Sequence, residues 1–458
     1  MPYEGEFASY GPLRRLADNE RVRSLLKRSR VNTAPAVPDG RVTAHQVEAS
    51  KLEPSIWVPD WVLAVDGSHL EVPVETGFPG AEASYVTVAS VLLDVAKMTE
   101  LDAARPVDPK EFRTTERAES IDAALPGCNV VLEGHHSANE SLRRAMFEVF
   151  AEVRMSADGE SLLDTYEALL AYKPEDKGQR CPYEDCLDLG SRFVRDNGEY
   201  ICPCSRKRSL YSTDALRIHE GMQPAGTNGA MFAEIMQVWE RIWLVHILRT
   251  LEHKGWLSSL QRLAMVLDGP LAIFGHPAWL SHAIQAELSR INADARRFTD
   301  GLDLLLIGVE KSGAFVDHFA SLDQDAQGRT DVLPGGTAIL LTDRYIKENI
   351  IFSKSDKPYG QDTYFGRKLL YKTYSGSRIV AMLPFLAEKH RDTLVAEPKS
   401  FPRLADALSL LERLVSSRFP NALSPLVSAH KEAAIPLHLG TRVLEDLARQ
   451  LMSEKPER

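Results

Sequence analysis

The 458-residue chain lacks any run of the roughly 18 to 20 consecutive apolar residues that a bilayer-spanning helix requires. Its opening stretch, MPYEGEFASYGPLRRLADNE, carries acidic groups and no apolar core of the kind a secretion signal needs. Both features lead to the expectation of a cytoplasmic protein without membrane contact. Cysteine is scarce: there are five, an odd number that excludes a complete disulfide set and suits thiols or metal ligands. A GxxxxGK[ST] phosphate loop is missing, so any ATP-driven motor must be a separate chain. His-rich ligand spacing is missing too, which excludes a typical zinc-dependent hydrolase. Internal repeats and low-complexity tracts are not found. Positive charge is not in excess: the formal net charge of −10 argues against a protein coated in nucleic acid. A local basic channel stays compatible with that sum, because phosphate affinity follows local potential.

What is there reads as a globular α/β chain, with 44% hydrophobic and 26% charged residues. The length allows two or three units, or one elaborated α/β domain with an insertion. Residues 1–31 are locally basic, and Leu13, Leu16, Val22, Leu25 and Leu26 are spaced for one or two short amphipathic helices. Asn32 to Pro59 reads as a linker rich in Pro and small residues. WVLAVDGSHLEVPV and SYVTVASVLLDV predict two strands forming a hairpin that opens a sheet. From about 100 to 225 the character changes to helical stretches (ANESLRRAMFEVFAEVRM, SLLDTYEALLAY) and a turn-rich segment bearing cysteines, expected to be an insertion. MFAEIMQVWERIWLVHILRTLEHK predicts a long helix with a continuous apolar face. RLAMVLDGPLAIF, DLLLIGVEKSG and TAILLTD follow as strands around the helix HAIQAELSRINADARRF, and PRLADALSLLERLVSSRF and LGTRVLEDLARQLM are expected to be helical. The division that results is a basic helical segment and linker (1–55), a core (56–100 and 226–458), and an insertion (101–225). Strands alternating with helices predict a mixed sheet with helices on its faces.

Two apolar strands run into Asp-Gly, VLAVDGS at Asp66 and AMVLDGP at Asp268. An aspartate at the end of a buried strand is held by a rigid sheet, as hydrolysis with paired metal ions needs, and the following Gly allows close approach of backbone to a phosphate or ion. One Asp-Gly turn alone means little. Beyond this pair the chain resembles the NurA nuclease family in four ordered pieces: VDGS (65–68), LDGPL (267–271), GVEKS (308–312) and SPLVSAHKEA (424–433). The resemblance runs from about 65 to 433 and leaves roughly 100 to 225 uncovered.

The resemblance implies a ribonuclease-H-like α/β core and a Mn²⁺- or Mg²⁺-dependent nuclease acting on DNA. Asp66 and Asp268 would be metal ligands, with His430 completing the site near the scissile phosphate. The family's helix carboxylate falls within MFAEIMQVWERIWLVHILRTLE, at Glu240, after which the helix matches best, with Glu234, nearly two turns earlier, as the fallback. Hard carboxylate oxygens suit Mg²⁺ and Mn²⁺. Lys311 would neutralise phosphate charge, against the plainer reading of a strand-end lysine reaching for water. The family also implies a homodimer docked on a hexameric HerA-type translocase ATPase, with a role in DNA-end resection or in defence against invading DNA. The rival expectation is a catalytically inactive NurA-like scaffold or DNA-binding subunit.

Two further patterns stand apart. Cys181-x4-Cys186 and Cys202-x-Cys204 have the spacing of a small four-cysteine zinc ribbon at about 178–208, expected to form a hairpin with Asn197-Gly198 at its tip. Four thiolates leave no open position, so this Zn²⁺ would be structural; Cys128 stands alone as a buried residue. From 341 to 380, eight Lys/Arg face four Asp/Glu with tyrosines and phenylalanines interleaved. That mixture suits a single-strand channel, with Lys354, Arg367, Lys368, Tyr371 and Lys372 as candidate DNA contacts, or a β-hairpin with half its aromatics in the core.

Overall fold

Side-chain alternation in the strand that starts at Trp61 decides how the molecule is layered. Val62 and Ala64 point to one face of the sheet, Leu63 and Val65 to the other, and all four are buried. The computed structural model describes residues 11–29, 46–75, 80–100, 116–174, 180–183, 186, 195–204, 207–325, 327–416 and 418–434. Strands β1 (Gln46–Glu48), β2 (Trp61–Glu75), β3 (Ala81–Asp94), β4 (Glu116–Pro126), β7 (Leu263–Asp268), β8 (Leu305–Glu310), β9 (Thr337–Leu340), β10 (Gly366–Lys372) and β11 (Arg378–Pro384) form one mixed sheet. Their order is β1-β9-β10-β11-β8-β7-β2-β3-β4, and β5 (Glu199–Ile201) pairs with β6 (Ser209–Tyr211) in a separate hairpin. β2, β7 and β8 run parallel, and all the other neighbours in the large sheet pair antiparallel.

Helices cover both faces. On the side of Leu63 and Val65 lie α3 (Ala138–Glu152), α4 (Leu162–Leu170), α5 (Gly229–His253) and α6 (Leu280–Ala295), sharing one apolar core with Met265 and Leu267 of β7. On the side of Val62 and Ala64 lie α9 (Leu404–Leu414) and α10 (Ser424–Ala433). Between these in sequence, α7 (Ala314–Leu322) and α8 (Asp343–Asn349) pack Phe315, Phe319 and Tyr345 against β9, β10 and β11. α5 spans 25 residues and buries Trp239 completely, as the apolar face predicted there requires. The basic helices expected at the start are present as α1 (Gly11–Asp18) and α2 (Glu20–Arg28), with Leu13, Leu16, Leu25 and Leu26 exposed. No helix among the described residues is long and apolar enough to cross a membrane.

Two expectations change. The stretch expected to be an insertion supplies β4, an 11-residue strand paired along β3, and two helices whose Phe150 and Tyr166 are fully buried in the shared core. Second, the linker contributes a strand at its end, since β1 pairs with β9 through Val47 and Ala338. The strand expected before Asn197-Gly198 lies largely outside the described residues, and the described β5–β6 hairpin that follows carries Cys202 and Cys204 in its turn. The helix expected in LGTRVLEDLARQLM lies outside the described residues.

Candidate active site

Parallel pairing brings the two aspartates together. β2 and β7 are in register through Val65 opposite Leu267, so Asp66 and Asp268 fall side by side just beyond the last pair. Asp66 does not end its strand as its Asp-Gly suggested: β2 continues through it, paired there with Ala89 of β3. β8 stands on the far side of β7, with Val309 opposite Asp268, and delivers Lys311 to the same edge. The Lys311 ammonium is 3.0 Å from Asp268 Oδ2 and 3.9 Å from Asp66 Oδ2, bridging the two carboxylates. His430, on α10, places Nδ1 at 3.1 Å from Asp66 Oδ2, and 62% of its side chain is exposed, so it can reach a bound strand from there.

Glu240 approaches from the opposite face of the sheet, on α5. It comes so close to β2 that a Cβ on Gly67 would lie 2.7 Å from Glu240 Oε1 and 2.7 Å from Met236 Cγ, which explains Gly at that position. The Gly67 amide donates to Asp66 Oδ1 at 2.8 Å and also favours the ionised Glu240. The adjacent Arg241, itself buried, forms a very short ion pair with Glu240 Oε2. Burial drives the Asp66 carboxyl well above the usual range; Asp268 and Glu240 add to this and Lys311 opposes it. Burial likewise raises Glu240, to about 7, with Arg241 opposing and Asp268 reinforcing. Two buried carboxylates beside Asp268 therefore favour a nearby positive charge.

These groups line a cleft of about 650 Å³ together with Glu310, Lys368, Phe274, Phe315, Tyr359 and Tyr364. Glu234 is outside it: its Oε1 accepts the His276 amide at 3.1 Å, at the start of a short helical turn. Of the two helix glutamates, Glu240 is the one beside the aspartates. Arg241 and Glu310 escaped the sequence reading, although each directly adjoins a residue that it singled out.

The proposed DNA contacts are mostly elsewhere. Every residue of β10 is buried, because β9 and β11 flank it and core covers both faces. Arg367 donates to the carbonyls of Asp392 and Val395 and lies over the Phe401 ring. Tyr371 donates to Glu412, and Lys372 pairs with Asp323 at 2.7 Å. Burial thus removes Arg367, Tyr371 and Lys372 from a DNA-facing surface. Lys368 is also buried, paired with Glu310 and 3.9 Å from the Phe315 centroid, but it lines the cleft. Lys354 is exposed in a loop.

About the β5–β6 hairpin, Cys181, Cys186 and Cys202 have sulfur atoms all within 4.8 Å of one another. Cys204 packs into the same buried cluster, and no cysteine is disulfide-bonded. Burial raises the Cys202 thiol, the Cys204 amide opposes this, and the Cys181 thiol adds to it. Among the described residues this is the group whose donor atoms meet that 4.8 Å limit; the three carboxylates are spread more widely, with Glu240 turned to Arg241. Cys128 is buried away from them, with Sγ 3.8 Å from the Gly80 carbonyl oxygen.

Comparison with curated proteins finds no match. Among solved structures the chain is similar to the NurA nuclease from Sulfolobus solfataricus, at 11% identity over 97% of this chain and 96% of that one. The TM-score is 0.35, at which the likeness alone decides neither fold nor activity. The profile of the NurA domain matches the chain over residues 61–435. A match over most of the chain, through every residue of the cleft, is sufficient: the chain belongs to the NurA family.

Proposed function

We propose that this protein is a divalent-metal-dependent DNA nuclease with a ribonuclease-H-like core, in which Asp66, Glu240 and Asp268 hold Mn²⁺ or Mg²⁺. The observation that carries this reading is the parallel β2–β7 register, which sets Asp66 beside Asp268 with a lysine ammonium bridging them. The donor set fits the ions: it is made of hard oxygens, with Asp66 beside Asp268 and Glu240 approaching β2 from the other face. Bound there, divalent ions supply an activated water and stabilise the leaving oxygen of the broken phosphodiester. The chain's own residues do the rest. Lys311 offers a cation within reach of the phosphate, and Lys368, held by Glu310, adds a second at the cleft wall. His430 stands at the open edge, able to orient or protonate a group on the strand. Phe274 and Tyr364 face the same cleft and offer rings against which bases can stack.

Family membership further supports DNA as substrate, a homodimer, and work alongside a HerA-type hexameric ATPase in DNA-end resection or defence. We assign Cys181, Cys186, Cys202 and Cys204 to a structural Zn²⁺ in a ribbon at about 178–208 built on the β5–β6 hairpin, within the 101–225 segment. The buried cluster of soft sulfur donors suits that ion, and it stays apart from the reaction.

Asp66→Asn and Asp268→Asn each test the nuclease reading with labelled DNA and Mn²⁺. Cleavage is expected to disappear in both, while the midpoint of thermal unfolding holds or rises, because a crowded negative charge has been removed. A folded Asp66→Asn protein that cuts DNA at the wild-type rate overturns the assignment. Wild-type protein that binds DNA and never cuts it, in either ion, would instead favour an inactive scaffold.

A further inference from the structure

Arg241 is a charged residue in the apolar heart of α5, with its side chain 2% exposed, and a bare guanidinium in such a place is costly unless it is fully engaged. Its contacts reach in three directions. Within the helix, Nη1 donates to the Gln237 carbonyl at 3.1 Å. Beside it, the same nitrogen pairs with Glu240 Oε2. Across to β7, Nη2 donates to the Pro270 carbonyl at 3.1 Å and approaches the Asp268 carbonyl at 3.4 Å. The turn is shaped to receive it: Gly269 has φ +83°, and a Cβ there would stand 3.1 Å from Nη2. The turn is anchored from its other side, where the Gly269 amide donates to Val309 of β8 at 2.8 Å.

We propose that Arg241 is a positioning residue that ties the Glu240 carboxylate to the backbone of the Asp268 turn and so fixes the distance between the helix-borne and strand-borne metal ligands. It rests on the reading of Asp66, Glu240 and Asp268 as a metal site. Arginine is suited to this because its planar fork serves a carboxylate and two carbonyls at once, whereas an ammonium is a single point of charge. Its anchors lie in the turn that carries Asp268, so the tie holds Glu240 at a set spacing from that end of β7. A purely structural arginine would stabilise the same contacts without affecting how the site binds ions.

Full-length wild type, Arg241→Met, Arg241→Lys and Asp66→Ala are compared by Mn²⁺ titration calorimetry, by thermal unfolding without added ion, and by cleavage rate as a function of Mn²⁺. Arg241→Met is expected to weaken Mn²⁺ binding roughly 10- to 100-fold, the usual cost of losing a partner that orients a ligand. Arg241→Lys should lose less, and its cleavage rate should recover toward wild type at saturating Mn²⁺, separating ion binding from the chemical step. Should Arg241→Met fail to fold, Arg241→Lys decides alone. Folded Arg241 variants that bind Mn²⁺ as tightly as wild type, or more tightly, while Asp66→Ala has lost it, overturn the positioning role and leave the metal site standing. If wild type binds no Mn²⁺, or Asp66→Ala binds it equally well, the metal site falls and the positioning role falls with it.

Discussion

At Gly67 the strand has no room for a side chain, and this is the tightest constraint in the cleft. A methyl group would meet Glu240 Oε1 and Met236 Cγ, both at 2.7 Å, so either α5 shifts or Glu240 swings away. Gly67→Ala is therefore expected to fold, since its neighbours are flexible side chains, and to lose cleavage by about 100-fold, the cost that a displacement of about 1 Å can carry. Wild-type cleavage in a folded Gly67→Ala protein would show that Glu240 need not approach β2. Glu234→Gln is the companion: that side chain serves the His276 amide outside the cleft, so Mn²⁺ affinity should stay unchanged where Glu240→Gln weakens it. The motif order pointed to Asp66, Asp268, Lys311 and His430, all of which share one cleft. Arg241 was not legible, because a lone arginine in an apolar helix reads as a polar edge until the turn it grips is known.

Among the elements, the β5–β6 hairpin and β10 show what long-range partners add to local pattern. Asn197-Gly198 stands just before β5, and after β5 the chain turns at Cys202-Pro203-Cys204, where the Cys202 amide donates to the Arg208 carbonyl at 2.8 Å and the Lys207 amide to that of Cys204 at 3.1 Å. Placing two sulfurs in that turn brings them to Cys181 and Cys186, a long-range demand that the dipeptide alone does not contain. GRKLLYK suits a basic channel or a core hairpin; β10 forms the hairpin with β11, and its lysines are satisfied by Glu310 and Asp323, 58 and 49 residues away. Charge pattern alone does not reveal partners that far off. The hairpin also yields a test. Cys202→Ser is expected to lower bound zinc from about one equivalent toward none and to lower the unfolding midpoint, because the small hairpin has little core of its own. Elemental analysis with parallel thermal melts checks it; a Cys202→Ser protein with unchanged zinc content and stability would sink the structural-zinc assignment. DNA cleavage in Mn²⁺ should persist wherever the protein stays folded, since the cysteines are not in the cleft.

For the molecule as a whole, the decisive matter is whether residues 116–222 belong to the core or ride on it. A break in the familiar motifs and a shift to helices and cysteines suggested an insertion, and no local property of the sequence announces that β4 pairs along β3. Packing makes the opposite case. Phe150 of α3 lies fully buried with its ring 5.7 Å from Trp239 of α5 and 5.6 Å from Tyr166 of α4, so the helix bearing Glu240 is braced by the very segment that looked dispensable. Two units sharing one core must melt together. Phe150→Ala is expected to destabilise the protein by about 3–5 kcal/mol through lost transfer energy and the cavity left behind. In urea it should keep one transition, coincident by far-UV circular dichroism and by tryptophan fluorescence. A separate insertion would instead give an early transition that leaves the Trp239 environment and Mn²⁺ binding intact, and that result would return 101–225 to the status of an appendage.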